Sequence, residues 1–201
     1  FQNRNRILSD KGPMWLTVPV LTKSKPTQPI TEVRIDNRSS PRWKEKCWSG
    51  ISQHYSKADY WSNHEKFFDD LYDHNWDCLV DLNESIIRYI LTSLFLGVRI
   101  IKSSEMKVKG SKGDLLLSIC REVGADIYLS GVSGKNYLDL DVFSDSGIDV
   151  RFQEFYHPIY KQVYEPFTPR LSAIDLLFNC GSDSSEVLKG VGVKTMDHIF
   201  E

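Results

Sequence analysis

Asp126-Ile127-Tyr128-Leu129-Ser130-Gly131-Val132-Ser133-Gly134-Lys135-Asn136-Tyr137-Leu138-Asp139 carries the fold reading. Ile127, Tyr128 and Leu129 read as a short buried strand. A small, flexible Ser-Gly-Val-Ser-Gly-Lys loop follows, then an amphipathic segment over residues 137–146 that Gly147 stops. Ile148-Asp149-Val150-Arg151-Phe152-Gln153 alternates apolar and polar, as a strand does. Strand, loop, helix and strand make a βαβ unit, whose loop sits at the carboxyl end of a parallel sheet, where open α/β folds bind ligands. Backbone N–H groups of Ser130, Gly131, Ser133 and Gly134 suit an anion there, with Lys135 adding charge. The loop is not a P-loop: the first glycine of that motif falls on Leu129, and Asn136 stands where Ser or Thr is needed. A plain strand-to-helix turn has the same residue types.

Outward from this unit, Leu79, Leu82, Ile86, Ile87, Ile90, Leu91, Leu94 and Phe95 form a wide apolar stripe on one helix, ended by Gly97. Residues 98–101 read as a strand. Ser111-Lys112-Gly113-Asp114 resembles a capping box before a helix that Gly124 stops. Residues 98–153 thus alternate strand and helix, the pattern of a parallel sheet. Upstream, helices are expected around Trp43 to Ile51 and over residues 64–74. Residues 15–20 and 31–35 are strand candidates, and residues 23–29 an exposed loop. Downstream, Thr168-Pro169 opens a helix through Asn179, and residues 182–189 read as one more short helix. The reading is a single α/β domain over residues 1–201, its parallel sheet built from βαβ units in a Rossmann-like, three-layer arrangement, with a helical insertion at about 40–97.

The 201 residues carry a net charge of −2, which argues against bulk electrostatic binding to nucleic acid or membrane. Between Phe1 and Lys46, ten Lys/Arg face four Asp/Glu, so positive charge gathers at that end. Cys47, Cys78, Cys120 and Cys180 lie far apart without a C-x-x-C, which favours reduced thiols in a cytoplasmic protein over disulfides or zinc. No stretch reaches membrane-span length and no signal peptide opens the chain.

Asn3, Arg4, Asn5 and Arg6 place two guanidinium groups and two amides in one segment, and in an extended chain both arginines point the same way. Arginine is a natural clamp for phosphate or carboxylate; a solvated basic arm has the same composition. Lys135, Ser133, Arg4 and Arg6 are expected to share one anion. His157, between a strand and Pro158, is presented from a loop and can serve as a base or donor, or be packed among Tyr156, Tyr160 and Tyr164. Gln153 lies near a strand's carboxyl end. Asp175 shares a helix face with Leu171, Ile174 and Phe178, so its carboxylate needs a partner, most often Arg, Lys or a cap. His54, His64 and His74 fall on no common helical face, and no metal site is expected.

These segments together resemble the WbqC-like protein family. The marks are Phe1-Gln2-Asn3-Arg4-Asn5-Arg6-Ile7, Trp15-Leu16-Thr17-Val18-Pro19-Val20, the run from Tyr128 to Leu138, Gly147-Ile148-Asp149-Val150 with Phe152-Gln153 and His157-Pro158, and the run from Leu171 to Gly181. The family pattern places a strand and a His-Gln-Pro-x-Tyr-x-Pro-Trp segment ahead of the Asn-Arg-Asn-Arg run. The resemblance therefore implies that a first strand and part of the site precede Phe1. It also implies bacterial or archaeal origin and a role in surface-polysaccharide (O-antigen) or modified-sugar pathways. The expected partner is a phosphate-bearing small molecule or nucleotide-sugar. The resemblance supplies no reaction. Analogy of fold suggests a transfer, nucleotidyl-like or acyl/aminoacyl, with His157 and Asp175, read from their residue types, as candidate catalytic groups and no cofactor specified. A non-catalytic scaffold of a polysaccharide-synthesis complex is the competing expectation.

Overall fold

The computed structural model describes residues 2–21 and 28–190. Most of the 23–29 loop lies outside the described residues. The described residues form two compact units, one from Phe1–Val98 and His157–Glu201, the other from Arg99–Tyr156.

The first unit opens with an antiparallel hairpin, β1 (Arg4–Ser9) and β2 (Gly12–Thr17), in which Arg6 faces Trp15 and Arg4 faces Thr17. Asp10 and Lys11 make the turn. Gly12 takes the positive φ of 101° there, and Ser9 Oγ donates to the Gly12 carbonyl at 2.6 Å. The basic segment is thus a paired strand. Residues 31–35 form no strand: a 3-10 turn covers Ile30–Glu32, and only isolated bridges Val20–Ile35 and Arg34–Cys78 follow.

Three helices follow: α1 (Trp43–Tyr55), α2 (Trp61–Asp73) and α3 (Leu79–Ser93). Trp43, Cys47, Ile51 and Tyr55 bury one stripe of α1, as the spacing predicts. At the far end come α6 (Ala173–Cys180) and α7 (Ser184–Leu188). Every residue from Ile174 to Asn179 is buried, so α6 is wrapped on all sides rather than on one face. Phe178 stacks on Tyr55 at 5.0 Å and on Trp61 at 5.2 Å, joining α1 and α2 to the centre. The sequence starts this helix at Thr168-Pro169, but it begins four residues later. The Gln162 amide holds both the N–H and the C=O of Thr168, and Arg170 has a left-handed φ of 61°, which delays the helix.

In the second unit α4 (Lys112–Glu122), β3 (Ile127–Ser130), α5 (Leu140–Asp145) and β4 (Asp149–Phe152) surround a small core of Leu117, Cys120, Phe143 and Ile148. β3 and β4 pair in parallel, Ile127 with Asp149 through Ser130 with Phe152, as the βαβ reading predicts. The third strand expected at residues 98–101 is absent. That segment has no pairing neighbour, and Val98 and Ile101 are exposed. Ser111 precedes α4 without a side-chain cap bond, whereas Asp139 caps α5 by accepting from the Val142 N–H. The chain is therefore mixed α/β with a small parallel sheet. All four cysteines are unpaired. Among the described residues no helix is long and apolar enough to cross a membrane, and no group of three His, Cys, Asp or Glu side chains is placed to hold a metal.

Candidate functional site

Asp175 has no solvent exposure, and its carboxylate is surrounded by donors from three parts of the first unit. Tyr55 of α1 donates to Oδ1 at 2.6 Å; Tyr160 and the Gln162 amide donate to Oδ2 at 2.7 and 2.8 Å. Burial pushes the carboxyl above its ordinary range, opposed by these three hydrogen bonds. Burial and the adjacent carboxylate both push the Tyr55 and Tyr160 hydroxyls up, so both stay protonated donors. The partners are two tyrosines and a glutamine rather than the Arg, Lys or cap that residue types favour.

Each donor reaches onward. Tyr55 Oη accepts the Leu8 N–H at 2.9 Å, tying the end of β1 to the carboxylate. Tyr160 packs on His157, ring centroids 6.4 Å apart, and Phe167 packs against both. His157 is half-buried. Its Nδ1–H donates to the Pro158 carbonyl at 2.8 Å, and its Nε2 accepts the Arg170 N–H at 3.2 Å. A carbonyl only accepts and an amide N–H only donates, which fixes the tautomer and occupies both ring nitrogens. Of the three tyrosines expected around it, Tyr160 packs on the ring. The Arg170 carbonyl then accepts from Arg6 Nη2 at 3.0 Å, and Ser172 N–H donates to the Arg6 carbonyl.

This chain of contacts ends on the outer face of the hairpin. Trp15 is 50% exposed there, with the Arg4 guanidinium carbon 4.5 Å and that of Arg6 5.7 Å from its ring centroid. Among the described residues, no carboxylate lies within ion-pair distance of Arg4, Arg6 or Arg170. The two arginines do point the same way. Asn3 and Asn5 serve the backbone instead: Asn3 Nδ2 donates to the Val18 carbonyl, and Asn5 Oδ1 accepts the Arg6 N–H.

Ser130, Gly131, Ser133, Gly134, Lys135 and Gln153 belong to the second unit. A 3-10 turn covers Val132–Asn136, within which Gly134 donates to the Gly131 carbonyl and accepts from Tyr137 and Leu138. Gly134 is buried so close to Ser130 that any Cβ would overlap the serine hydroxyl. Ser130, 2% exposed, donates to the Gly131 carbonyl, and the Gln153 N–H donates to the Ser130 carbonyl. The Lys135 ammonium lies 5.2 Å from the Phe152 ring centroid.

Residue patterns pointed to Arg4, Arg6, His157 and Asp175, and the structure links the last three through Tyr160 and Arg170. Residue patterns give no sign of Tyr55, Gln162 and Arg170, and mark Tyr160 only as a neighbour of His157 and Trp15 only as part of a strand. The available signal was a carboxylate on an apolar stripe downstream of a tyrosine-rich loop.

An uncharacterized protein of Mycobacterium tuberculosis (strain ATCC 25618 / H37Rv), Rv1507c, is 30% identical over 191 residues, covering 94% of this chain and 81% of that protein. No solved structure matches the chain. The family model of the WbqC-like proteins matches residues 1–187, and the chain belongs to the WbqC-like protein family.

Proposed function

We propose that the chain is a biosynthetic enzyme of surface-polysaccharide or modified-sugar pathways that holds a phosphorylated or nucleotide-linked substrate on the outer face of its hairpin. The observation that carries the binding half is the pair of Arg4 and Arg6 beside the exposed Trp15 indole, without a carboxylate partner among the described residues. Guanidinium groups fixed by strand register offer planar donor pairs that a phosphate accepts in bidentate fashion. The Arg170 carbonyl holds Arg6 before any ligand arrives, which lowers the entropy lost on binding. The pathway half rests on family resemblance alone.

Asp175 and His157 act in this proposal as positioning residues. The carboxylate holds Tyr55 against β1 and Tyr160 beside His157, and the imidazole holds the Arg170 backbone. The loop at residues 130–135, within its own unit, is the competing anion site, with Lys135 as its cation.

Calorimetric titration with sugar phosphates, nucleotide-sugars and inorganic phosphate tests the binding half. Phosphate-bearing ligands bind the native chain, and affinity falls in Arg4→Ala and Arg6→Ala. Phosphorus NMR of the best-bound ligand with candidate acceptors then tests turnover. Binding without turnover across the panel would favour the scaffold reading.

A further inference from the structure

We propose that Trp15 is a stacking platform for a nucleobase, so that the ligand of the hairpin face is a nucleoside diphosphate, free or sugar-linked. This rests on the preceding reading that Arg4 and Arg6 hold a phosphate-bearing substrate. Neighbouring side chains on one face of an antiparallel pair stand about 5 Å apart. Trp15 faces Arg6 across the strands, and Arg4 lies one position along the same face. Both cations are close to one indole, 4.5 and 5.7 Å from its centroid, yet half the side chain stays open. A half-exposed tryptophan with two guanidinium groups over its ring fits a ligand that is flat and apolar at one end and anionic at the other. A nucleotide has that form: its base stacks on indole and guanidinium planes, and its phosphates accept from the arginines.

A sugar phosphate fits less well. Recognition of ring hydroxyls needs side-chain acceptors as well as donors. On the face that carries Arg4, Arg6 and Trp15, no carboxylate among the described residues lies within ion-pair distance of the arginines, and Asn5, between them in the strand, belongs to the opposite face. The indole offers area and the arginines offer donors. That combination selects a base and a diphosphate over a polyol.

The test is calorimetric titration of uridine diphosphate, adenosine diphosphate and pyrophosphate into the native chain, Trp15→Ala, Trp15→Phe and Arg4→Ala, with thermal melts confirming that each variant folds. The native chain binds at least one nucleoside diphosphate about tenfold or more tightly than pyrophosphate, the margin that base stacking supplies. Trp15→Ala loses that margin and retains pyrophosphate binding, whereas Trp15→Phe retains part of the margin. Equal affinity of the native chain for nucleoside diphosphates and pyrophosphate, or an equal loss of both in Trp15→Ala, overturns the nucleobase assignment and leaves the anion reading standing. Absence of binding by all three probes, or affinity unaffected by Arg4→Ala, overturns the anion reading and this inference with it.

Discussion

The hairpin and the loop at residues 130–136 both set cations beside an aromatic ring, but their backbones are built to opposite ends. In the hairpin, strand pairing consumes the backbone groups, and the arginine side chains project from a fixed register beside an exposed indole. In the loop, the backbone closes on itself, through Gly134 to Gly131 and Tyr137 and Leu138 to Gly134, while Lys135 rests over Phe152. The hairpin displays side-chain donors, whereas the loop spends the Gly134 N–H on its own Gly131 carbonyl. A Gly-Ser-Gly-Lys composition is common to cradles and tight turns, so what separates them is where the N–H groups go. On the proposed reading the anion rests on the hairpin, where the donors are side chains, rather than on the loop.

The largest effect that would sharpen this contrast lies behind the hairpin. Asp175→Ala leaves Tyr55, Tyr160 and Gln162 without their acceptor in a buried place, and should cost about 3–5 kcal/mol in urea unfolding. Asp175→Asn keeps the shape and should cost less. It should also change the pH response. Burial raises the folded carboxyl above its ordinary range, so its contribution is fully present below about pH 4 and is lost as pH rises through the folded value. The native chain should show that decline and Asp175→Asn should not. Equal slopes in the two would detach the carboxylate from the network.

Next in size is Gly134→Ala. Its new Cβ overlaps Ser130 Oγ, so the turn must open, at about 1–3 kcal/mol of stability. Pairing it with Ser130→Gly should recover part of the loss. A fully tolerated Gly134→Ala would show that the loop is looser than a self-satisfied turn and would reopen it as a cradle.

The smallest effect is the acid response of His64, which packs edge-on against Phe178 and bonds Tyr89 Oη at 2.7 Å. Burial holds this imidazole below its ordinary value, so stability is present above about pH 6.5 and declines as pH falls toward the folded value. Thermal melts from pH 7.5 to 5 should show a shallower decline in His64→Gln than in the native chain.

How much of this was legible follows from which contacts are local. The parallel pair of β3 and β4 could be read because Ile127 to Leu129 and Ile148 to Gln153 bracket one short crossover. The stripe of α1 repeats every turn, and Gly181 marks the end of α6 with its positive φ of 51°. The expected α3 stripe holds only in part, since the helix stops at Ser93, Ile87 is exposed and Phe95 lies beyond the helix in an exposed turn. The hairpin was hidden because Asn3 to Arg6 is polar throughout and its turn, Asp10-Lys11, lacks the Asn-Gly signature. Residues 98–101 misled because β-branched residues suggest a strand only when a neighbour exists to pair with. Asp175 announced that it needed partners, but Tyr55 lies 120 positions away, and nothing local in residue types ties that pair together.

The measurement closest to the central claim is titration of uridine diphosphate into the native chain, Arg4→Ala, Arg6→Ala and Lys135→Ala at one ionic strength. If the hairpin holds the anion, each arginine variant weakens binding by about 1.5–3 kcal/mol, the worth of a charge-assisted hydrogen bond. Lys135→Ala then stays within about 0.5 kcal/mol of the native chain. A loss in Lys135→Ala that matches or exceeds the arginine losses would contradict the account and place the anion on the loop.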